Sequence, residues 1–437
     1  MQKAILKQVL FLIFIALILV MLMGLLIFSS AKAAERLNLP SEPSFAERNP
    51  VSAIFENDDG DVSVTKRRNR AIGTGRYNRV EGFYAGMALN KSGDECAPPA
   101  GWSTRPVLFG HWGYAFKSKD FQYQVGLEQG LWSNNRLAFG GEYHRTMDSP
   151  DKWIISEHEN TLAAFFLCED FRDYYFSEGA SGYVTQNIAD AVKLTLAYRQ
   201  DDWKSRNKAT DWSLFGGHKR FRPNPLMAEG DVRSLAGKLV LDTRNSAKKT
   251  TRGLFVQMEG EYAGRSLKGD FDYSRFEADA RWYWTLGSWE GIDFRFRGGT
   301  AYGTLPWQKT YHLGGIGTLR GFRYKTFPAG PDSSGGNRVA LFQVEYRMGR
   351  EDFPFGFDFG FLEQFNLIFF SDLGWVGSAN PNKDLWEGFG GLSFKTMKND
   401  VGVALANRSG SMRVELARRT DTGKKPFTVY FRIERPF

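Results

Sequence analysis

Tyr273-Ser274-Arg275-Phe276-Glu277-Ala278-Asp279-Ala280-Arg281-Trp282-Tyr283-Trp284-Thr285-Leu286 places Phe276, Ala278, Ala280, Trp282, Trp284 and Leu286 at alternate positions, with Arg275, Glu277, Asp279 and Arg281 between them. Successive side chains of a β-strand point to opposite faces, so the stretch predicts one strand with an apolar face and a charged face. It is also much longer than the roughly 5–6 residues of an ordinary soluble strand. The pattern recurs at 292–302, where Ile292, Phe294 and Phe296 oppose Asp293, Arg295 and Arg297. It returns at 254–262, with Val256 and Met258 opposed to Gln257, Glu259 and Glu261, and at 411–419, with Met412, Val414 and Leu416 opposed to Arg413 and Glu415. A soluble sandwich also alternates. Here, however, the strands run to about ten residues or more, Trp and Tyr stand near the ends of the apolar faces, and the polar faces carry both signs of charge, which together mark a transmembrane β-barrel. Closure of such a sheet satisfies every backbone group inside hydrocarbon, which an open sheet cannot do.

Composition fits this pattern and excludes others. The chain has 437 residues, 57 Lys+Arg against 49 Asp+Glu, and a formal net charge of +8. Its mean hydropathy of -0.39 rules out a helical multi-span membrane protein, which needs many apolar runs of about 20 residues. The 37 Phe, 17 Tyr and 12 Trp rule out a disordered chain. Strands that are half lipid-facing and half charged reconcile abundant aromatics with a hydrophilic average. Two cysteines, Cys96 and Cys168, are too few for a disulfide scaffold or a multi-cysteine metal cluster.

Residues 1–33 read as a secretory signal peptide: Lys3 and Lys7 precede an uncharged run from Val9 to Phe28, and Ala31 and Ala33 precede a cut. An uncleaved anchor is the alternative, and either form exports the chain. Residues 34–78, broken by Pro40, Pro43 and Pro50 and ending near the basic run Lys66 to Arg70, are expected to form a short, poorly ordered periplasmic linker. The basic run is either a solvated tether or a contact for anionic head groups. Residues 79–437 are then the barrel. Candidate strands lie near 79–90, 107–118, 121–131, 136–145, 160–168, 190–200, 211–221, 232–243, 253–263, 273–286, 291–302, 338–348, 364–376, 387–397, 411–419 and 427–437, sixteen in all. Counting outward from the periplasm puts the 91–106, 169–189 and 303–337 connections on the extracellular side. Cys96 and Cys168 then share an oxidising end, and whether a disulfide joins them stays open. In the last strand Phe427, Val429, Phe431, Ile433 and Phe437 share one face, and the aromatic terminus Phe437 resembles the recognition signal of bacterial outer-membrane barrels.

Three motifs stand in order along the second half. Leu239-Val240-Leu241-Asp242-Thr243-Arg244-Asn245, followed by Thr251-Arg252-Gly253-Leu254, reads as strand, turn and strand. Gly314-Gly315-Ile316-Gly317-Thr318-Leu319-Arg320-Gly321-Phe322 sits in a long connection, and Phe370-Ser371-Asp372-Leu373-Gly374 follows Glu345-Tyr346-Arg347. Together they resemble the BamA/TamA superfamily, also called the bacterial surface antigen family, over about residues 230–437. The resemblance implies a closed, antiparallel all-β barrel of sixteen strands with the loop bearing Arg320-Gly321-Phe322 folded into its lumen. There Arg320 is expected to meet Asp372 and Glu345 through charge-assisted bonds. Desolvation cancels much of that attraction, so the contact would specify one loop position more than it stabilises. The resemblance further implies a bacterial outer-membrane protein whose first and last strands pair poorly, with a seam near 80–90 and 427–437 that opens toward lipid. Its partners would be outer-membrane lipids, unfolded outer-membrane protein clients or a separate periplasmic protein. Members usually carry periplasmic POTRA domains, and 34–78 is too short for one, so a form lacking them is expected.

The competing function is a passive pore or structural outer-membrane protein that kept the barrel without assembly activity. No enzyme is expected. Gly314-Gly315-x-Gly317 does not join a buried strand to a helix as a dinucleotide loop does, none of the five histidines lies in an H-E-x-x-H pattern, and G-x-S-x-G is absent. Neither metal nor cofactor is called for, and an exported chain has little access to nucleic acid.

Overall fold

Period-two alternation becomes sixteen strands of a single sheet in the structure, a computed structural model that describes residues 71–89, 91–92, 95–96, 106–131, 137–247, 250–287, 290–328, 335–348, 365–407, 410, 412–421, 427–435 and 437. The expected signal peptide and residues 34–70 of the expected linker lie outside the described residues. The strands are β1 (Ala71–Asn78), β2 (Gly82–Leu89), β3 (Val107–Ala115), β4 (Asp120–Leu131), β5 (Leu137–Asp148), β6 (Tyr175–Ala189), β7 (Val192–Ser205) and β8 (Gly230–Asp242). They continue as β9 (Gly253–Ala263), β10 (Asp272–Thr285), β11 (Gly291–Thr304), β12 (Arg338–Met348), β13 (Phe365–Gly377), β14 (Lys398–Asn407), β15 (Arg413–Arg419) and β16 (Thr428–Arg432). Each pairs antiparallel with its neighbours in chain order, and among the described residues no ladder joins β1 to β16. One helix, α1 (Glu157–Leu167), lies between β5 and β6.

The sheet is apolar where it is exposed and charged where it is buried, the inverse of a soluble fold. On β10, Trp282 and Trp284 are each 49% exposed, while Asp279 and Arg281 are 3% and 4% exposed. Neighbouring strands continue both faces. Trp282 stacks on Phe294 of β11 with centroids 5.6 Å apart, and Phe296 meets Phe342 of β12 at 4.8 Å. Behind them Asp279 accepts from Arg281 at 3.1 Å, Arg295 at 2.5 Å and Arg297 at 3.2 Å. A buried carboxylate with three guanidinium partners is compensated; stripped of them it would be strongly destabilising.

The strand count is as expected, but six assignments differ. Residues 160–167 are helical, with Cys168 as the C-cap, because Ser156 caps the helix: Ser156 Oγ accepts from the Glu159 amide at 3.2 Å, and two glutamates occupy the first turn. Residues 211–221 and 387–397 are loop and turn. In their place stand β1, which begins inside the stretch expected as linker, and β6 and β14. Alternation is faint in these three because small residues interrupt one face or the other, outward on β1 at Gly73 and Gly75 and on β6 at Ala180 and Gly182, inward on β14. On β14, Gly402, Ala404 and Ala406 alternate with the outward Val401, Val403 and Leu405, and a Cβ on Gly402 would sit 2.3 Å from the Phe370 ring.

These exchanges alter which connections share an end. In an antiparallel sheet, segments following odd-numbered strands lie at one end and those following even-numbered strands at the other. Connections 149–174, 206–229, 305–337 and 378–397 therefore share an end, whereas 90–106 lies at the opposite one. The strand order thus puts the connections that hold Cys96 and Cys168 at different ends, against the expectation, and the Cys96 side chain lies outside the described residues. Cys168 is a buried free thiol whose Sγ donates to the Lys219 carbonyl at 3.5 Å, and burial pushes its pKa up.

Candidate functional site

Residues 305–328 of the connection between β11 and β12 pack onto the charged face instead of standing away from the sheet. Tyr311, Leu313, Leu319 and Phe322 are buried against Ala301, Val339 and Leu341 of β11 and β12, forming an apolar patch within the polar interior. The glycine motif shapes the tip. Gly317 adopts φ +74°, and a Cβ there would lie 2.5 Å from the Ile154 carbonyl oxygen of the 149–174 connection. Gly321 presses on β14 and β15, where a Cβ would come within 2.7 Å of the Asp400 Cβ and 2.8 Å of the Arg419 backbone nitrogen. Only glycine permits that approach.

Arg320, between these contacts, is fully buried and uses its whole guanidinium edge. Nε and Nη2 donate to the two oxygens of Asp372 at 2.8 and 2.7 Å, and its backbone amide donates to the same carboxylate at 3.2 Å. Nη1 donates to Glu345 at 2.6 Å and to Glu415 at 3.3 Å, and the guanidinium lies 3.5 Å above the Phe370 ring. Burial opposes its charge, but Asp372, Glu415 and Glu345 outweigh that and raise its pKa well above the usual arginine value. Arg413 donates to the other Glu345 oxygen at 2.9 Å, the Gly321 amide donates to Asp400 at 2.9 Å, and Gln343 bridges Asp372 to the Thr318 carbonyl. The structure thus brings together Arg320, Gly321, Phe322, Glu345, Asp372 and Phe370. Gly374 adjoins them, since a Cβ there would meet Leu313 and Leu319 at 2.8 and 3.0 Å. Sequence reasoning missed Glu415, Arg413 and Asp400, although the inward alternation of Arg413-Val414-Glu415 carried the signal.

A second ionic cluster ties four connections of this end together, the β1–β2 turn at Arg79 included. Lys325 donates to Asp151 at 2.8 Å and to Asp173 at 2.7 Å, Tyr324 donates to Asp151 at 2.9 Å, and Asp173 also accepts from Arg79 at 2.8 Å and from Arg222. Burial would raise the Asp173 pKa, but Lys325, Arg222 and Arg79 prevail and lower it. Nearby His312, hydrogen-bonded to Thr310 at 3.0 Å, is lowered to about 3 by burial and by Lys325. A histidine depressed when folded keeps its stabilising effect above its unfolded pKa and loses it as pH falls through that value toward the folded one. Protease nicking of 305–337 should therefore rise between pH 7 and 5, and His312→Asn should flatten that rise. Equal pH dependence in both proteins would refute this account.

The other motif residues lie elsewhere. Asp242, Thr243 and Arg244 build the turn from β8 to β9 at the opposite end: Arg244 Nε and Nη2 donate to Asp242 at 3.0 Å each, and the Leu254 amide donates to Thr243 Oγ1 at 3.0 Å. Phe437 does not share the face expected for it. It is 4% exposed, whereas Phe427, Val429 and Phe431 are more than half exposed. β16 ends at Arg432, and the last residues turn toward the charged face, where Arg435 pairs with Asp293 and Phe437 lies 6.0 Å from the Arg295 guanidinium.

Comparison with known proteins adds family to geometry. The model of the Omp85 superfamily domain matches residues 172–433. Outer membrane protein assembly factor BamA from Nitratidesulfovibrio vulgaris is 29% identical over 246 residues, 51% of this chain and 30% of that protein. The chain therefore spans under a third of the length of that curated relative. Among solved structures, BamA from Haemophilus ducreyi lacking POTRA domains 1–3 superposes with a TM-score of 0.53 at 15% identity, covering 83% of this chain and 70% of that one. CdiB from Acinetobacter baumannii gives a TM-score of 0.38 at 11% identity over 83% and 58% of the two chains.

Proposed function

Since the chain belongs to the Omp85 superfamily and is an outer-membrane β-barrel protein, we propose that its sheet closes at a seam between β1 and β16 and that this seam serves assembly or translocation of outer-membrane proteins or lipids. The observation that carries this reading is the pair of unjoined edges. β16 has 5 residues against 14 in β10 and in β11, and among the described residues it forms no ladder with β1. A short, incompletely paired edge is where an incoming strand can add through backbone hydrogen bonds. The seam involves β1, not the 80–90 region expected from sequence, because β1 precedes that region.

In the closed barrel the charged face lines the lumen and the 305–337 loop folds into it, with Arg320, Glu345 and Asp372 as its lock. The aromatic face meets lipid, the loop end that contains 305–337 is extracellular, and unfolded outer-membrane proteins or a periplasmic partner approach from the other end. A wide permanent pore is the poorer reading, because Asp151, Asp173, Arg222 and Lys325 bind three loops to one another across the charged interior. The test joins cysteines at Gly75 and Phe431 with a short bis-maleimide. Locking should lower the amount of other outer-membrane proteins or disturb lipid asymmetry. Unchanged phenotypes with full crosslinking would eliminate the seam as the working part.

A further inference from the structure

Helix α1 makes contacts that an ordinary surface-loop helix does not need. Its first turn lies on the charged side of the sheet. Glu159 accepts from Arg432 Nε and Nη2 of β16 at 3.1 and 2.9 Å and from the Ile433 amide at 3.0 Å, and Glu157 lies 3.5 Å from Arg76 of β1. Its middle reaches the β1 backbone, where the Tyr77 amide donates to Thr161 Oγ1 at 3.3 Å. Its last turn lies on the apolar side. Phe165 packs edge-on against Phe83, an outward residue of β2, at 5.5 Å, and against Tyr77 and Trp212 at 5.7 and 5.4 Å. Beyond it Leu167 is 52% exposed and Phe215 is 71% exposed.

Within 11 residues the helix therefore touches the last strand, the first strand, the charged face and the apolar face. A path between β1 and β16, entering on the charged side and leaving on the apolar side, accounts for all four contacts. Backbone satisfaction fits this course. A helix end in an apolar setting needs partners for its last carbonyls. Here Leu214 and Phe215 of the 206–229 connection donate to the Phe165 and Phe166 carbonyls at 2.7 and 3.0 Å. The sequence divides the same way, with Glu157 and Glu159 in the first half and Phe165, Phe166 and Leu167 in the second.

We infer that α1 is a latch seated in the seam: it holds the edge of β1 that an incoming strand would use, and it must withdraw before the seam accepts one. This rests on the seam reading above and extends it by naming what occupies the site at rest. The partner that replaces it is an extended polypeptide segment offering backbone donors and acceptors to β1, with apolar side chains on its lipid side.

The test uses Glu159→Gln combined with Thr161→Val, which discharges the ion pair to Arg432 and removes the acceptor of the Tyr77 amide while keeping the Ser156 cap. In the full-length protein in outer membranes, hydrogen exchange at the Tyr77 amide should quicken by about tenfold or more, with exchange in β7 unchanged as a control for folding. A second form, Glu159→Cys with Ile433→Cys in a Cys96→Ser, Cys168→Ser background, should form a disulfide on oxidation and slow that exchange below the reduced protein's rate. Unchanged Tyr77 exchange in both forms would overturn the latch. If exchange responds as expected while outer-membrane protein levels and lipid asymmetry do not, the latch stands and the transport reading falls. If phenotypes respond to the Gly75–Phe431 lock but exchange ignores α1, the seam stands without its latch.

Discussion

Arg320→Glu should cost about 3–5 kcal/mol of barrel stability, the usual penalty for breaking a buried ion pair by removing one partner. The substitution takes away the four side-chain hydrogen bonds and sets a new carboxylate among Asp372, Glu345, Glu415 and Asp400. No other guanidinium can move in, because Arg413 is already held by Glu345 and Glu415. The measurement is the temperature at which the folded, heat-modifiable species disappears on unboiled gels, together with protease sensitivity of 305–337. Asp372→Arg alone should be comparably harmful, since it faces Arg320 with a like charge. The reversed pair, Arg320→Glu with Asp372→Arg, should recover part of the loss, with the remainder set by Glu345 and Glu415, which keep Arg413 but lose Arg320. Absence of any recovery would show that Arg320 and Asp372 do not act as a pair. Arg320→Lys separates charge from shape: it keeps the cation and forfeits the two-pronged fit to Asp372, so a wild-type melting temperature there would mean that charge alone positions the loop.

Legibility in the sequence followed side-chain contrast. Strands β10, β11 and β12 carry full-sized apolar residues on one face and charges on the other, and their expected bounds fall within two residues of those found. Where the inner face had to be small, as on β14 beneath Phe370, or where glycines thin the pattern, as in Ala71-Ile72-Gly73-Thr74-Gly75, periodicity could not register the strand. These gaps were offset by three strands expected elsewhere, so the total agreed while the ends of the early connections were exchanged. That exchange is what placed Cys96 beside Cys168. The lock was legible at Arg320, Asp372 and Glu345 because short motifs bracket them. Its other acids were not, since Asp400 and Glu415 come from strands whose registry only the folded sheet supplies. Helix α1 was missed for a different reason: its apolar residues suit an amphipathic strand as well as a helix, and the decisive signal was the Ser156 cap before them.

The same contrast predicts the second large effect, from a residue one position away from two buried arginines. Phe296 lies near the middle of β11, in register with Ala280 of β10 and Phe342 of β12, and is 38% exposed on the apolar face. Its neighbours Arg295 and Arg297 point to the charged face and share Asp279. Phe296→Arg therefore leaves the local composition nearly unchanged and alters only which face carries a guanidinium. If the aromatic face meets hydrocarbon, an arginine at that depth should cost about 2–4 kcal/mol, added to the loss of the Phe296–Phe342 contact. Leu286→Arg, of the same outward parity as Trp282 and Trp284 and one residue past the end of β10, should cost no more than about 1 kcal/mol if that end lies at the head-group level. The comparison is made by urea titration of both variants in lipid vesicles, following the intrinsic tryptophan signal. A soluble sheet would yield the opposite order of magnitude for Phe296, because an exposed arginine in water is nearly free. Equal small costs at the two positions would therefore contradict the lipid-facing assignment itself, and with it the reason that charges on this chain turn inward.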